Sequence, residues 1–346
     1  MTSKNLFAQQ QSNRRRSALL VAGFLLFFAW IGFGGDLSYY LLSRDAPPGA
    51  YRHDIPFMGI ATVAFAAIIA WSSWKRGARR VLWATGAWKL VEAATPEQRR
   101  LVNVVEEMSI ASGVPKPTVW IVPDPDPNAF ATGVDPREAH IAVTEGMLAT
   151  LNRDELQGVV AHEMAHIQNL DIRLMTLLAS MVGAVALLSD GLRNFMRFGG
   201  VGGRRGGGGR KGGSGPAGFI VLIVWLVTLL LAPLLSRIMA MAVSRNREYL
   251  ADATAAQFTR NPAALASALE RLDAVSGATR SISRGAAHLC IVDPGERRLA
   301  ARDGAVADLL ASHPPIRHRV VRLRGMAFQQ AKQVGAVTST EPPPVG

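Results

Sequence analysis

The segment Ala161-His162-Glu163-Met164-Ala165-His166 brings two histidines and a glutamate onto one turn of a predicted helix. Residues four apart lie on the same face of an α-helix, so His162 and His166 can both face one metal ion. Glu163 follows His162 directly, where its carboxylate could take a proton from a water held at that ion. The spacing therefore predicts a metal site with a base beside it.

The preceding residues predict the helix that carries this segment. Asn152, Asp154 and Glu155 form a helix-start signal, and apolar residues follow at helical spacing: Leu156, Val159, Val160 and Ile167. The H-E-x-x-H arrangement is found in zinc metallopeptidases. The alternative is a polar helix face whose histidines bond to neighbouring residues, and a third ligand is needed to favour the metal site.

A candidate third ligand lies farther along, in Ser244-Arg245-Asn246-Arg247-Glu248-Tyr249-Leu250-Ala251-Asp252. Glu248 and Asp252 are four residues apart and share one helical face. Glu248 can complete a His₂Glu site with an open fourth position. Asp252 can then accept a hydrogen bond from the far nitrogen of a ligand histidine. Without the upstream histidines, the simpler interpretation would be that Glu248 and Asp252 are solvated carboxylates paired with Arg245 and Arg247.

The composition restricts the other possibilities. A length of 346 residues is enough for two domains or for one domain plus membrane segments. The chain carries a net charge of +12 and is 49% hydrophobic. The positive charge suits an anionic membrane surface as well as a nucleic acid. Cys290 is the only cysteine, which excludes an intrachain disulfide and a thiolate-rich zinc site. The remaining histidines lack ligand spacing and are predicted to be structural or exposed: His53, His140, His288 and His318.

Two apolar runs near the N-terminus predict a transmembrane hairpin. Residues 17–35 are uncharged and follow three arginines, and residues 55–74 are uncharged and end at Trp71 and Trp74. Each run is long enough to cross a bilayer as a helix. Positive charge lies on both outer flanks, whereas the loop 36–54 is not enriched in basic residues. The positive-inside rule therefore places both outer ends on the cytoplasmic side.

A second pair of apolar runs, 174–192 and 217–236, is joined by a connector rich in Gly, Arg and Lys at 199–215. Two full spans would place the basic connector outside the cytoplasm, against the positive-inside rule. A shallow hairpin that returns to the cytoplasmic side is the alternative, and the sequence leaves both open. The connector could also bind nucleic acid, but it has no aromatic residue to stack on a base. A flexible linker is the favoured interpretation.

The region between the hairpins has the pattern of a soluble α+β unit. Pro96 begins an amphipathic helix that ends at Gly113, and strands are predicted at 118–122, 128–133 and 140–143. Helices at about 145–151 and 153–170 follow. The predicted fold is a membrane-integrated, mainly α-helical protein with a small β-sheet, a zincin-like catalytic domain and about four transmembrane or hairpin helices.

Taken together, these features resemble the HtpX-type membrane zinc metallopeptidases, relatives of the CaaX prenyl endopeptidases. Besides the four apolar runs, the resemblance rests on four segments: His162-Glu163-Met164-Ala165-His166, Ser244-Arg245-Asn246-Arg247-Glu248-Tyr249, Asn128-Ala129-Phe130-Ala131-Thr132-Gly133, and His313-Pro314-Pro315. Residues 316–319 depart from the family pattern, because they lack the acidic residues usual there. The connector is also longer and more basic than expected.

The resemblance implies one zinc ion per chain, bound by His162, His166 and Glu248, with Glu163 as general base. It also implies that Asn128, Ala129 and Phe130 belong to an edge strand whose backbone pairs with an extended substrate. The chain is then divided into an N-terminal cytoplasmic tail (1–16), a transmembrane hairpin (17–74), a first catalytic part (75–173), a second apolar hairpin with its connector (174–243), a second catalytic part (244–325) and a disordered tail (326–346).

His313 is a further active-site candidate. A histidine before two prolines is by default a turn residue. Peptide hydrolysis builds an oxyanion, however, and an imidazole N–H aimed by a stiff backbone could donate to it. We therefore expect His313 to assist catalysis.

The predicted function is hydrolysis of peptide bonds in misfolded or damaged membrane proteins at the cytoplasmic face of the inner membrane. The chain is expected to be multi-pass, to contact the lipid bilayer and its membrane-protein substrates, and to bind no nucleic acid. Other membrane quality-control proteases are candidate partners. The alternatives are an inactive metal-binding membrane scaffold, which would not need Glu163, and a membrane-tethered nucleic-acid binder.

Overall fold

The computed structural model describes residues 3–43, 55–181, 245–275, 289–292 and 314–338. The chain forms two units. One unit comprises residues 1–14, 77–179 and 241–346, and the other comprises residues 15–76 and 180–240. Helix α1 (Ser3–Ser43) and helix α2 (Phe57–Ala84) each contribute residues to both units.

The second unit is built around the apolar parts of α1 and α2. A buried cluster joins the two helices through Phe24, Phe28, Ala66 and Ala70. Both helices are long and apolar enough to cross a membrane, and many of their large apolar side chains are exposed, among them Leu19, Leu26, Ile60, Ile68 and Trp71. An apolar exterior of this kind suits a lipid environment.

Polar contacts and a close backbone approach help to hold this helix pair together. The carboxylate of Asp36 accepts hydrogen bonds from the backbone N–H groups of Met58 and Gly59, at 3.2 and 2.6 Å. These donors belong to the first turn of α2, where a carboxylate satisfies unpaired N–H groups. A Cβ atom on Gly32 would lie 2.7 Å from the Cα of Gly59, so glycine is needed where the backbones meet.

A four-stranded mixed sheet forms one layer of the first unit. Its strands are β1 (Trp88–Lys89), β2 (Thr118–Val122), β3 (Ala129–Thr132) and β4 (His140–Thr144). Their order is β1-β2-β4-β3, with β2 and β4 parallel and the outer pairs antiparallel. The predicted strands are confirmed, whereas the two-residue β1 was not predicted because so short a strand has no periodicity to detect. Strand β3 lies at the edge.

Helices pack against this sheet around a common core. They are α3 (Pro96–Ser112), α4 (Glu145–Thr150), α5 (Arg153–Gln168), a helical segment at 171–181, α6 (Arg245–Thr259), α7 (Pro262–Ala274) and α8 (Ile316–Thr338). Their buried apolar side chains include Leu101, Val104, Val159, Val160, Leu269 and Leu323. A Cβ on Gly158 would lie 2.9 Å from the Cα of Leu265, so α5 and α7 approach closely. The expected mainly helical fold with a small sheet is thus confirmed.

The two ends of the chain differ from expectation. The polar residues 3–16, predicted as part of a tail, are helical and continue into the apolar run as α1. The predicted disordered tail 326–346 is wrong for residues 326–338, because α8 extends to Thr338 and Met326 packs against the core. The Met, Ala and Gln residues in this stretch favour helix, and the prolines begin only at Pro342. Residues 339–346 lie outside the described part.

Candidate metal centre

Helix α5 carries both predicted histidine ligands on its buried face. It begins with a capping box in which the Asn152 side chain accepts from the Glu155 backbone N–H and the Glu155 side chain accepts from the Asn152 N–H. The His162 and His166 rings meet edge to face, and their Nε2 atoms lie 3.1 Å apart. Both side chains are buried. Two imidazole nitrogens therefore converge on one point, as the spacing predicted.

Helix α6 brings Glu248 to the same point from 82 positions farther along the sequence. Its carboxylate oxygens lie 3.6 Å from the Nε2 of His162 and 3.7 Å from the Nε2 of His166. A tetrahedral ion with ligand bonds of about 2.0–2.1 Å has donor atoms roughly 3.3 Å apart. The three donor atoms all lie within 4.8 Å of one another. The donor set and its spacing therefore fit one metal ion, and two nitrogens with one carboxylate suit zinc.

Asp252 lies one turn beyond Glu248 and contacts the back of the first histidine. Its Oδ1 is 3.0 Å from the Nδ1 of His162, so the carboxylate can orient the ring and leave Nε2 facing the site. Arg319 in α8 grips the same carboxylate with two hydrogen bonds, Nε to Oδ2 at 2.8 Å and Nη2 to Oδ1 at 2.7 Å. This guanidinium is 0% exposed.

The charges around Asp252 shift two pKa values in opposite directions. Burial alone would raise the pKa of Asp252, but the charge and hydrogen bonds of Arg319 outweigh burial and lower it to about 2. Burial and Arg319 lower the pKa of His162, but hydrogen bonds to Asp252 and Glu248 outweigh them and raise it to about 9 in the metal-free protein. Asp252 is therefore an anion at every working pH, ready to hold an Nδ1 proton.

A second carboxylate, Asp171, contacts the back of His166. Its Oδ2 lies 3.0 Å from the Nδ1 of His166, and its Oδ1 accepts a 2.6 Å hydrogen bond from Asn13 Nδ2 in α1. Leu170, just before it, has a φ of 61°, a left-handed conformation that costs energy for a branched residue. This turn ends α5 and directs Asp171 back toward the histidine.

Glu163 is buried beside the two histidines and reaches the sheet. Its carboxylate accepts a hydrogen bond from the backbone N–H of Ala131 in β3. Burial raises the pKa of Glu163, although the two histidines and this hydrogen bond act against the rise. A raised pKa brings a carboxylate closer to neutral pH, where it exchanges protons most effectively as a base. The geometry thus places a buried carboxylate next to the converging nitrogens.

The edge strand β3 is not open along its outer side. The Ile291 backbone N–H donates to the Ala129 carbonyl at 3.0 Å, and Cys290 forms an antiparallel bridge with Phe130. Asn128 Nδ2 donates to the Val292 carbonyl at 2.9 Å. The predicted residues Asn128, Ala129 and Phe130 therefore reach the edge of the sheet, but at Ala129 the chain's own segment 289–292 takes the position expected for substrate.

Comparison with known proteins decides the family. Residues 95–327 match the model of Peptidase family M48. A protein named Protease HtpX homolog, from Caldanaerobacter subterraneus subsp. tengcongensis, is 38% identical over 330 residues, which cover 95% of this chain and 100% of that protein. The chain belongs to peptidase family M48.

A second curated relative has the same name. The Protease HtpX homolog of Dictyoglomus turgidum is 43% identical over 235 residues, 68% of this chain and 72% of that protein. The crystal structure of S. mikatae Ste24p matches 93% of this chain and 67% of its own at 17% identity, with a TM-score of 0.44, a likeness too low to establish a shared fold. The M48 match and the HtpX homologues identify a metalloprotease, and the two apolar helices fit a membrane protein.

Several sequence predictions fall outside the described part of this M48 chain. They concern His313, the connector 199–215, the run 217–236 and most of the run 174–192. His53 and His288 also lie there, whereas His140 is described and accepts a hydrogen bond from Trp120 Nε1 at 3.3 Å. Burial lowers the pKa of His140 to about 4, with help from Arg79 and Lys89. His140 thus has the structural contacts that were expected of it.

Sequence reasoning missed three polar residues of the site: Asn13, Asp171 and Arg319. Asp171 follows His166 by five positions, which is not helical ligand spacing, and the left-handed turn at Leu170 brings it back. Asn13 and Arg319 come from 158 and 67 positions away from their aspartate partners. The one available signal for Arg319 was its place after His313-Pro314-Pro315, in the segment noted for lacking acidic residues.

Proposed function

We propose that the protein is a zinc endopeptidase that cleaves misfolded or damaged membrane proteins at the cytoplasmic face of the membrane. The observation that carries this proposal is the convergence of His162, His166 and Glu248 within 4.8 Å, with the Glu163 carboxylate buried beside them. Family M48 membership supports the peptidase chemistry. The two apolar helices support a membrane setting.

The roles of the chain's own residues follow from the geometry. When bound, zinc supplies Lewis acidity toward a peptide carbonyl and toward water. His162 and His166 would hold it with Nε2, because each Nδ1 faces a carboxylate, and Glu248 would supply the third ligand. Glu163 takes a proton from the attacking water and passes it to the leaving amine. Its raised pKa favours the first of these transfers, in which the carboxylate takes up the proton.

The cytoplasmic orientation is supported by charge. Arg14, Arg15 and Arg16 precede the apolar part of α1, and Lys75 and Arg76 lie in the later half of α2. Basic residues of this kind remain on the cytoplasmic side. Asn13 and residues 77–179 belong to one unit with the candidate site, so the site is expected in the same compartment as these charges.

The proposal is tested with the full chain purified in detergent, using casein and a destabilised membrane protein as substrates. Glu163→Gln should abolish cleavage of both, with bound zinc close to the wild-type amount, because Glu163 is a base and not a ligand. Glu145→Gln, at the exposed start of α4, is the matched control and should retain wild-type turnover. In inverted vesicles casein should be cleaved, whereas in sealed right-side-out vesicles it should remain intact.

Three results would each count against a part of the proposal. Wild-type turnover in Glu163→Gln would end the assignment of Glu163 as base. Cleavage of casein only from the outer side of sealed vesicles would contradict the cytoplasmic orientation and leave the peptidase assignment standing. Equal cleavage of the folded and the destabilised membrane protein would contradict the preference for damaged substrates.

A further inference from the structure

Asn13, in the N-terminal part of α1, is fully buried and contacts the carboxylate that backs a metal ligand. Its Nδ2 donates to Asp171 Oδ1 at 2.6 Å and to the Asn169 carbonyl at 2.9 Å. Asp171 is likewise 0% exposed, and its other oxygen contacts His166 Nδ1 at 3.0 Å. A continuous chain of hydrogen bonds therefore runs from an α1 amide to a histidine ring.

The orientation of this amide is determined by its neighbours. Both groups that face Asn13 Nδ2, a carbonyl and a carboxylate, are acceptors, so the NH₂ end must point at them. Within the described part of the chain, the buried Asn13 Oδ1 has no hydrogen-bond partner. Leaving such a buried acceptor without a hydrogen bond destabilises the folded state. The burial of Asn13 is therefore explained better by its contact with Asp171 than by a contribution to the stability of the fold.

We propose that Asn13 is a positioning residue for the metal centre, fixing the Asp171 carboxylate that in turn fixes the His166 ring. This inference rests on the proposed function, in which His166 is a zinc ligand. A carboxylate at Nδ1 selects the tautomer that leaves the Nε2 lone pair free for the ion. Asn13 determines where that carboxylate lies, because one of its two amide hydrogens is spent on Asp171 and the other on the backbone beside it.

The contact between Asn13 and Asp171 links the metal centre to helix α1. Asn13 precedes Arg14-Arg15-Arg16 and lies in the same helix as the first candidate membrane span, Leu6–Leu41. Gln10, one turn earlier, donates to the Gln168 carbonyl at 2.7 Å. The N-terminal part of α1 thus docks on the end of α5 through two amides, of which only Asn13 reaches the residue behind a ligand. Metal affinity should therefore depend on this helix.

The test compares zinc affinities, measured by chelator competition on the full-length protein in detergent. Asp171→Asn should weaken zinc binding by about 10–100-fold, as loss of such an outer contact typically does. Asn13→Ala should weaken it by roughly tenfold. Gln10→Ala removes a matched hydrogen bond of the same helix and should leave affinity unchanged. Asn13→Leu keeps the branched shape and the number of side-chain heavy atoms, and it replaces Asn13→Ala should that variant not fold.

Two further readouts separate positioning from simple docking. The visible spectrum of the cobalt-loaded protein should change in Asn13→Ala but not in Gln10→Ala. In a double-mutant cycle, Asn13→Ala should cause no additional loss of affinity in the Asp171→Asn background, because Asn13 acts through Asp171. Additive losses, equal effects of Asn13→Ala and Gln10→Ala, or unchanged zinc affinity in Asn13→Ala would each overturn the inference. Failure of the wild type to bind zinc would instead overturn the proposed function.

Discussion

The two histidines of α5 are each backed by an aspartate, but the two aspartates are held in different ways. Behind His162, the Asp252 carboxylate makes two short hydrogen bonds with the buried guanidinium of Arg319. Behind His166, the neutral amide of Asn13 binds Asp171, and the guanidinium of Arg247 comes no closer than 3.8 Å. One face of the site is held by an ion pair and the other by an amide.

The two arginines make this contrast sharp, because both are almost completely buried, at 0% and 2% exposure. Arg319 also donates to the Ile291 carbonyl at 3.2 Å and lies 3.8 Å from Glu248. In the described part of the chain, none of the three side-chain nitrogens of Arg247 has a hydrogen-bond partner. A buried charge stabilises a protein only when its partners replace the lost water. The same residue type should therefore have opposite effects on stability at the two positions.

The largest effect is expected from Arg319→Met. The change removes the guanidinium that makes two hydrogen bonds with the buried Asp252 carboxylate, and breaking a buried pair in this way costs about 3–5 kcal/mol. Thermal unfolding of the metal-free protein should show a clear fall in Tm. Arg317→Met, an exposed position two residues earlier in α8, is the matched control and should unfold like wild type. Equal Tm values for Arg319→Met and Arg317→Met would show that the Arg319–Asp252 ion pair does not stabilise the protein.

A much smaller effect is expected from Arg247→Met. Methionine fills about the same space as arginine and carries no charge, so it removes a buried cation that has no hydrogen bonds within the described part of the chain. The free energy of unfolding should therefore stay within about 1 kcal/mol of wild type or increase. The same unfolding experiment measures it, with Arg319→Met as the reference. A loss as large as that of Arg319→Met would mean that the 3.8 Å contact with Asp171 does hold the second face of the site, and the contrast between the faces would fail.

The two faces also differ in how far sequence could predict them. His162, His166, Glu248 and Asp252 come in pairs four residues apart, and helical spacing alone puts each pair on one face. The supports of the second histidine follow no such period. Asp171 depends on a left-handed turn at a leucine, and Asn13 depends on a docking contact between distant segments. Local periodicity carries no information on either.

In the sheet, too, sequence predicted strand β3 itself but not the segment that pairs with it. The Pro- and Asp-rich turn before it favoured a strand, and the family resemblance implied that this strand lies at the edge of the sheet. Segment 289–292 pairs with this edge at Ala129. Sequence could not predict this pairing, because four apolar residues fit any buried stretch: Leu289, Cys290, Ile291 and Val292. Apolar sequence predicts burial, but it does not identify the partner.

His162, His166 and Glu248 should together bind one metal ion. An anomalous difference map, collected at the zinc edge from crystals of the zinc-loaded full-length protein, tests it most directly. We expect a single strong peak about 2.0–2.2 Å from the Nε2 of His162, the Nε2 of His166 and one carboxylate oxygen of Glu248. A map with no peak between these three side chains, or with its strong peak at other residues, would contradict it.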